Sequence, residues 1–356
     1  MGHFTFAPLG MLRAWVTTVS VLQRMAIGIG LDVGGTKILG CALDEQGKLL
    51  VELRVATPRT AEAFVLALAE CVASIRTALG VEERAVQGVG VGVPGLVDRS
   101  GMLHETANLY GIQELDVAAL LHRRLVDVLG PAKPDDPDAP WHLVVDNDAT
   151  CATAAEHAWG AGRGHRDSVL VTLGTGIGGG IVADGRIVRG ERNFAGEIGH
   201  CIVDPRGPLC GCGQHGCWER YASGTGIADM ARRLLGAGGG ARLLELCGGD
   251  PGAITSEHVV IAAQQGDPDA AAVIEEFGLY LSIGLGNIAE MLDPGCIILG
   301  GGLVAAAETL LRPGLDHFAR THRRGAGPRR VPVVYAELGE RAGAFGAAAQ
   351  ALGVLA

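Results

Sequence analysis

The chain has 356 residues, 48% of them hydrophobic and 19% charged, with a formal net charge of -10. That length accommodates two domains with cores of their own, and the composition excludes a disordered chain. The acidic balance argues against a nucleic-acid-binding surface, and no apolar run of 18 or more residues free of charges or clustered glycines marks a membrane span.

Residues 1–24 carry Leu12, Trp15, Val16, Val19 and Leu22 at helical spacing, but neither a basic stretch nor a small-residue cleavage site. They read as an extension outside the fold, with Met25 directly before the first strand pattern. Residues 26–34, 38–44 and 49–57 form a three-stranded antiparallel meander whose first hairpin is glycine-rich. Helical periodicity over 61–79 ends at Gly80, a natural C-cap. Residues 88–98 read as a buried strand running into a Pro-Gly turn, and 115–129 as a second helix. The segment 131–140, with four prolines and three aspartates, is a solvated loop.

Residues 141–148 are a strand ending in Asn147-Asp148, followed by a helix to about Gly160. The pattern then restarts, with strand, glycine turn, strand and turn over 168–190. A long apolar helix over 271–292 precedes a strand and glycine turn at 294–303, and a small-residue helix over 342–353 closes the chain. Two halves that each open with a strand–glycine turn–strand hairpin indicate an internal duplication. Alternating strands and helices make the fold class α/β, with two lobes and a cleft.

The 56 glycines are roughly double the usual share, and their clustering points to backbone approaching a ligand. At Asp32-Val-Gly34-Gly35-Thr36-Lys37 and again at Gly174-Thr175-Gly176, hairpin tips without Cβ atoms expose N–H groups suited to phosphate oxygens. Thr36 and Thr175 add hydroxyls. Lys37 either faces a phosphate or points to solvent. Asp32 would repel a phosphate, so its chemistry is to hold Mg2+ through water. Gly300-Gly301-Gly302 supplies a third such turn. Neither GxGxxG before a helix nor GxxxxGK[ST] is present, which opposes a Rossmann dinucleotide fold or a P-loop.

The segment 197–219 packs His200, Cys210, Cys212 and Cys217 between Glu197 and Glu219. Thiolate sulfur and imidazole nitrogen suit tetrahedral Zn2+, and a filled Cys3His set is structural rather than catalytic. Gly211, Gly213 and Gly216 allow tight turns, and His215 competes with His200 on spacing alone. The six other cysteines (Cys41, Cys71, Cys151, Cys201, Cys247, Cys296) are scattered as buried free thiols are in a reducing cytosol, so the expected location is cytoplasmic.

Taken together, DVGGTK, Asn147-Asp148, LGTGIGGG and EIGH with its cysteines give a chain that resembles the ROK family of sugar kinases and regulators, within it the bacterial glucokinases. The resemblance covers residues 25–355. It implies an actin-like (ribonuclease H-like) ATPase fold with an interdomain cleft and a small zinc-binding insertion. One lobe would be 25–150 joined by 342–354, the other 151–341. It further implies ATP-dependent phosphorylation of glucose to glucose 6-phosphate in glycolysis, with Asp148 as general base, and ATP, Mg2+ and structural Zn2+ as cofactors. Asn108, Asn147, Asp148, Glu197, His200 and Glu219 would contact the sugar. Asp32, Gly34, Gly35, Thr36, Lys37, Gly174, Thr175, Gly176, Gly300 and Gly301 would hold the nucleotide. Partners would be the hexose and further copies of the chain, as dimer or tetramer, with no nucleic acid or membrane.

Two departures concern the sugar. The run Asn108-Leu-Tyr-Gly lacks the tryptophan many family glucokinases carry there, and the 131–140 loop reads as an insertion. N-acetylmannosamine, N-acetylglucosamine, mannose and fructose therefore stand as alternative substrates. A sugar-responsive repressor needs a helix-turn-helix of some 60 residues before the first strand.

Overall fold

The computed structural model describes residues 26–80, 86–106, 109, 111–130, 141–325 and 327–354. Residues 1–24, the loop 131–140 and Asn108 lie outside them. The chain divides into two compact units, one running through Cys151 and resuming at Gly343, the other spanning Ala152–Ala342.

The first unit is built on β1 (Ile27–Val33), β2 (Lys37–Asp44), β3 (Leu49–Ala56), β4 (Val86–Val93) and β8 (Leu143–Asn147), in the order β3-β2-β1-β4-β8. The first three strands pair antiparallel, as the meander reading expects, while β1–β4 and β4–β8 are parallel. A small sheet of β5 (Leu96–Val97), β6 (Met102–Glu105) and β7 (Leu115–Asp116) follows β4. It takes residues 115–116 out of the expected helix, which begins instead at Val117 because the Asp116 carboxylate caps Ala119 N–H at 2.9 Å.

Helix α1 (Ala61–Leu79) starts at the Thr60 cap and stops at Gly80, whose φ of 59° lies in the left-handed region. It buries Phe64, Leu68, Val72 and Ile75 in one core with Ile27, Ile29, Leu31, Val89 and Val91. Helix α2 (Val117–Leu129) adds Leu121 and Leu125 to that core.

The opposite face of the sheet explains four strand glycines. Gly28 and Gly30 on β1 alternate with isoleucines, and Gly88 and Gly90 on β4 with valines. A Cβ at Gly28 or Gly88 would lie 2.7 or 2.8 Å from the Ala348 or Ala351 carbonyl oxygen, and at Gly30 or Gly90 would overlap the Ala344 or Ala347 carbonyl. The glycine face thus receives the small-residue final helix α11 (Ala342–Ala351) backbone to backbone. These strand glycines serve packing, whereas the reading of a ligand's approach concerns the glycine loops.

The second unit repeats the topology. Strands β9 (Ser168–Leu173), β10 (Ile177–Ala183), β11 (Arg186–Ile187), β12 (Cys296–Gly300) and β13 (Val333–Tyr335) are ordered β11-β10-β9-β12-β13. The pairing scheme is also the same, antiparallel in the opening hairpins and parallel beyond. The duplication is therefore topological. Helix α3 (Asp148–Trp159) carries the chain from one unit to the other.

Between the hairpin strands and β12 lie α4 (Glu219–Ala222), α5 (Gly224–Gly236), α6 (Ala241–Leu246), α7 (Ser256–Gln264) and α8 (Pro268–Leu292). After β12 come α9 (Ala307–Leu310) and α10 (Arg312–Thr321). Helix α8 starts three residues before the expected 271, because Asp267 caps Ala270 N–H at 2.8 Å and Pro268 fits the first turn. By length and composition it could span a membrane. Its Val273, Ile274, Phe277, Leu281, Leu285 and Ile288 instead form the unit's core with Val169, Val171, Ile297 and Leu299.

Candidate functional site

In the first unit the carboxyl ends of the parallel strands collect the polar residues, the edge where open α/β sheets present ligand sites. Asp32 of β1 lies across from Gly92 of β4, which lies across from Asp146 of β8. Asn147 ends β8 and Asp148 opens α3. The Asn147 side-chain oxygen accepts from Thr150 N–H at 3.0 Å, a helix N-cap, and its Nδ2 donates to the Gly95 carbonyl at 3.1 Å. Asn147 is thus a structural cap that fixes where α3, and with it Asp148, begins.

Asp148 is half-buried, its Oδ1 accepting from Ala149 N–H at 2.8 Å. Desolvation raises its pKa, with that backbone bond opposing. Asp32 is pushed up to about 7 by burial first and by the charge of Asp148 second, with Lys37 opposing. Two carboxylates that disfavour each other's ionisation are suitable oxygen donors for a hard divalent cation or a proton acceptor's setting. Gly343 lies beneath Asp32, where a Cβ would collide with the carboxyl group.

The first turn, Gly34–Lys37, is closed by Gly34 N–H to the Lys37 carbonyl at 2.8 Å, with Gly35, Thr36 and Lys37 exposed. In the second unit Gly174 faces open space and has no left-handed φ, so neither packing nor backbone geometry demands glycine there. A ligand's close approach is a physical reason that remains. Gly224 N–H holds the Gly174 carbonyl at 2.8 Å, and Thr225 N–H holds that of Thr175 at 3.2 Å. Gly301 (φ 87°) lies over the Leu173 backbone, and Gly300 is paired with Thr172, so the third turn is brought beside the second.

Gly176 has a different role. A Cβ there would collide with the carboxylate of Glu219, whose Oε2 accepts from Ile177 N–H at 3.0 Å. Glu219 is thereby seated at the base of the glycine hairpin. The 3-10 turn Ile198–His200 packs on the same strand, its Gly199 against the Ile177 carbonyl.

The metal-ligand set converges. Ligand atoms of His200, Cys210, Cys212 and Cys217 all lie within 4.8 Å of one another. His200 Nδ1 is 3.6 Å from Cys210 Sγ, and Cys212 Sγ is 3.5 Å from Cys217 Sγ. A tetrahedron with bonds near 2.3 Å has edges of about 3.8 Å, so these separations fit one zinc ion and are far too long for a disulfide. Gly213 (φ 87°) and Gly216 (φ 70°) make the left-handed turns; Gly211 does not.

His215 is resolved out of the set, its Nδ1 lying 3.0 Å from the Gly207 carbonyl. The other His200 nitrogen, Nε2, is 4.0 Å from Glu197, and Glu219 Oε1 is 3.9 Å from Cys210 Sγ. One imidazole therefore faces the cysteines with one nitrogen and the acidic edge with the other. Of the remaining six cysteines five are buried, as expected, whereas Cys201 is exposed beside His200.

Repeated sheets of this topology, with glycine turns and carboxylates at the strand ends, define an actin-like ATPase fold. The chain belongs to the ROK family, whose model matches residues 28–353. It is 36% identical over 326 residues to a glucokinase of Streptomyces coelicolor, covering 91% of this chain and 97% of that one. It is 31% identical to an N-acetylmannosamine kinase of Escherichia coli O157:H7, over 84% of this chain and 94% of the other. Among solved structures, a ROK family glucokinase from Streptomyces griseus in complex with glucose and AMPPNP superposes with a TM-score of 0.70 at 36% identity. That match covers 92% of this chain and 99% of that one.

Proposed function

We propose that this protein is an ATP-dependent hexose kinase that converts glucose to glucose 6-phosphate. The observation that carries the reading is the likeness to Streptomyces glucokinases, in sequence and in fold, over nearly their whole length. Asp148, with its raised pKa, accepts the proton of the 6-hydroxyl as that oxygen attacks the γ-phosphate. Phosphoryl transfer otherwise needs positioning and charge stabilisation. The amides of Gly35–Lys37, Thr175, Gly176, Gly300 and Gly301 supply the phosphate contacts, while those of Gly34 and Gly174 close their own turns on the Lys37 and Gly176 carbonyls. Mg2+, held at Asp32 through water, would neutralise phosphate charge.

Glu197, His200 and Glu219 read sugar hydroxyls, since acceptors seated by other bonds reject analogues that leave them unpaired. Asn108 is assigned to the sugar by the family pattern, and Asn147 chiefly holds Asp148 in place. Zn2+ at His200, Cys210, Cys212 and Cys217 would have its four positions filled by protein and so be structural, fixing the His200 ring and its tautomer.

The 31% identity to an N-acetylmannosamine kinase supports a second reading, a kinase for an N-acetylated hexosamine. A panel of glucose, mannose, fructose, N-acetylglucosamine and N-acetylmannosamine in a coupled ADP assay decides between them. Glucose is expected to give the highest kcat/KM; a tenfold preference for either N-acetylated sugar would replace the first reading by the second.

A further inference from the structure

We infer that Thr57 is a positioning residue for the phosphoryl donor, locking the orientation of the Gly34–Gly35 peptide. Thr57 directly follows β3 and is half-buried. Its Oγ1 donates to the Gly34 carbonyl at 2.7 Å, and its N–H donates to the Thr36 carbonyl at 3.0 Å. One residue thus grips the first glycine turn at two points.

The grip matters because of what lies between those points. A peptide flanked by two glycines has no Cβ on either side to hinder rotation of its plane, so both orientations are accessible. In a trans peptide the carbonyl and the following N–H point in opposite directions, and the described residues contain no cis bond. Tying the Gly34 carbonyl to Thr57 therefore aims the Gly35 N–H away from Thr57, out of the turn. A flipped plane would present a carbonyl oxygen there, which repels a phosphate.

The equivalent turn of the second unit has the same device made from backbone. The Gly174 and Thr175 carbonyls are held by the N–H groups of Gly224 and Thr225, which aims the Thr175 and Gly176 N–H groups the other way. At the first turn a side chain holds the Gly34–Gly35 plane, and its hydroxyl, 23 residues from Gly34, is removable by substitution.

This inference rests on the reading of the turn as a phosphate cradle. The test compares Thr57→Val, Thr57→Ser and Gly35→Pro in full-length protein, measuring KM for ATP, kcat, and the sugar Kd without nucleotide. Thr57→Val is expected to raise KM for ATP by about 3- to 10-fold, as for one net hydrogen bond, with the sugar Kd unchanged. Thr57→Ser keeps the hydroxyl and should restore the wild-type value, which a merely packing role would not do. Gly35→Pro deletes the aimed N–H itself and should raise KM for ATP at least as much. If Gly35→Pro raises it and Thr57→Val does not, the Thr57 inference is overturned while the cradle stands. If neither raises it, the cradle reading fails and the inference with it. A rise in Thr57→Val that Thr57→Ser fails to rescue also overturns the lock.

Discussion

Gly176 and Glu219 occupy adjoining space in which a β carbon cannot fit: a Cβ on residue 176 would overlap Glu219 Oε2. The same oxygen accepts the N–H of Ile177, so the turn proposed to face the phosphates also seats an acidic residue of the cysteine segment. Gly176→Ala must push that carboxylate out of its seat. The expected result is a rise in sugar KM of about tenfold or more, in line with leaving a buried polar pairing unmade. In a Glu219→Ala background the same substitution should add little. Additive effects in that double-mutant cycle would show the two residues to be uncoupled.

Asp148→Asn removes the proposed proton acceptor while keeping a side-chain oxygen able to accept from Ala149 N–H. Turnover should fall by about 10² or more, with the sugar Kd by calorimetry changing little. Near-normal kcat would place the base elsewhere.

Asp32 gives a pH signature of stability. Its folded pKa is about 7 against an ordinary 3.8, so between those values the unfolded chain has released a proton that the folded chain still holds. Stability therefore falls as pH rises through that window. Asp32→Asn should remove this fall. Measured by denaturation without nucleotide or metal, the variant should be more stable than wild type at pH 8 by about 1 kcal/mol or more, and equal to it near pH 4. With Asp32 holding Mg2+ as proposed, the variant should also be a poorer kinase, a stability–activity trade-off.

The cysteine cluster predicts one zinc per chain by elemental analysis. Cys212 is exposed, so Cys212→Ser removes a ligand without opening a core cavity. Zinc and sugar affinity should be lost together. Retained sugar affinity in a zinc-free variant would separate the metal from the His200 orientation it is held to fix.

Gly90→Ala tests the strand glycines as packing devices. The added methyl would overlap the Ala347 carbonyl across the sheet–helix contact. Overpacking of this kind costs about 1–3 kcal/mol or more, to be read as a lowered urea midpoint. ATP and sugar KM in the folded fraction should be unchanged, whereas a selective rise in KM for ATP would return Gly90 to a ligand role.

The hairpins, the α1 limits and the strand end at Asn147 were legible because their signals are local: alternation, a cap, a glycine just past the last turn. The metal-ligand spacing was legible for the same reason, since 18 residues hold all four ligands. The small β5–β7 sheet was not, because strands of two to four residues carry too little pattern to register. Nor could spacing choose between His200 and His215, because both lie within reach and only the Gly207 carbonyl takes His215 away.

By itself the sequence determined the duplicated hairpins, the glycine-rich turns and the composition of the candidate metal set, all encoded in neighbours along the chain. The tertiary structure decided which glycines receive a helix and which stand open, for Gly30 meets Ala344 and Gly174 meets open space. It also decided that Thr57 holds Gly34, that Gly343 makes room for Asp32, and that Glu219 sits against Gly176. Each of these pairs is distant in sequence. Their contacts are fixed by sterics and hydrogen bonding that arise only once the strands and helices have packed, and periodicity along the chain carries no trace of them.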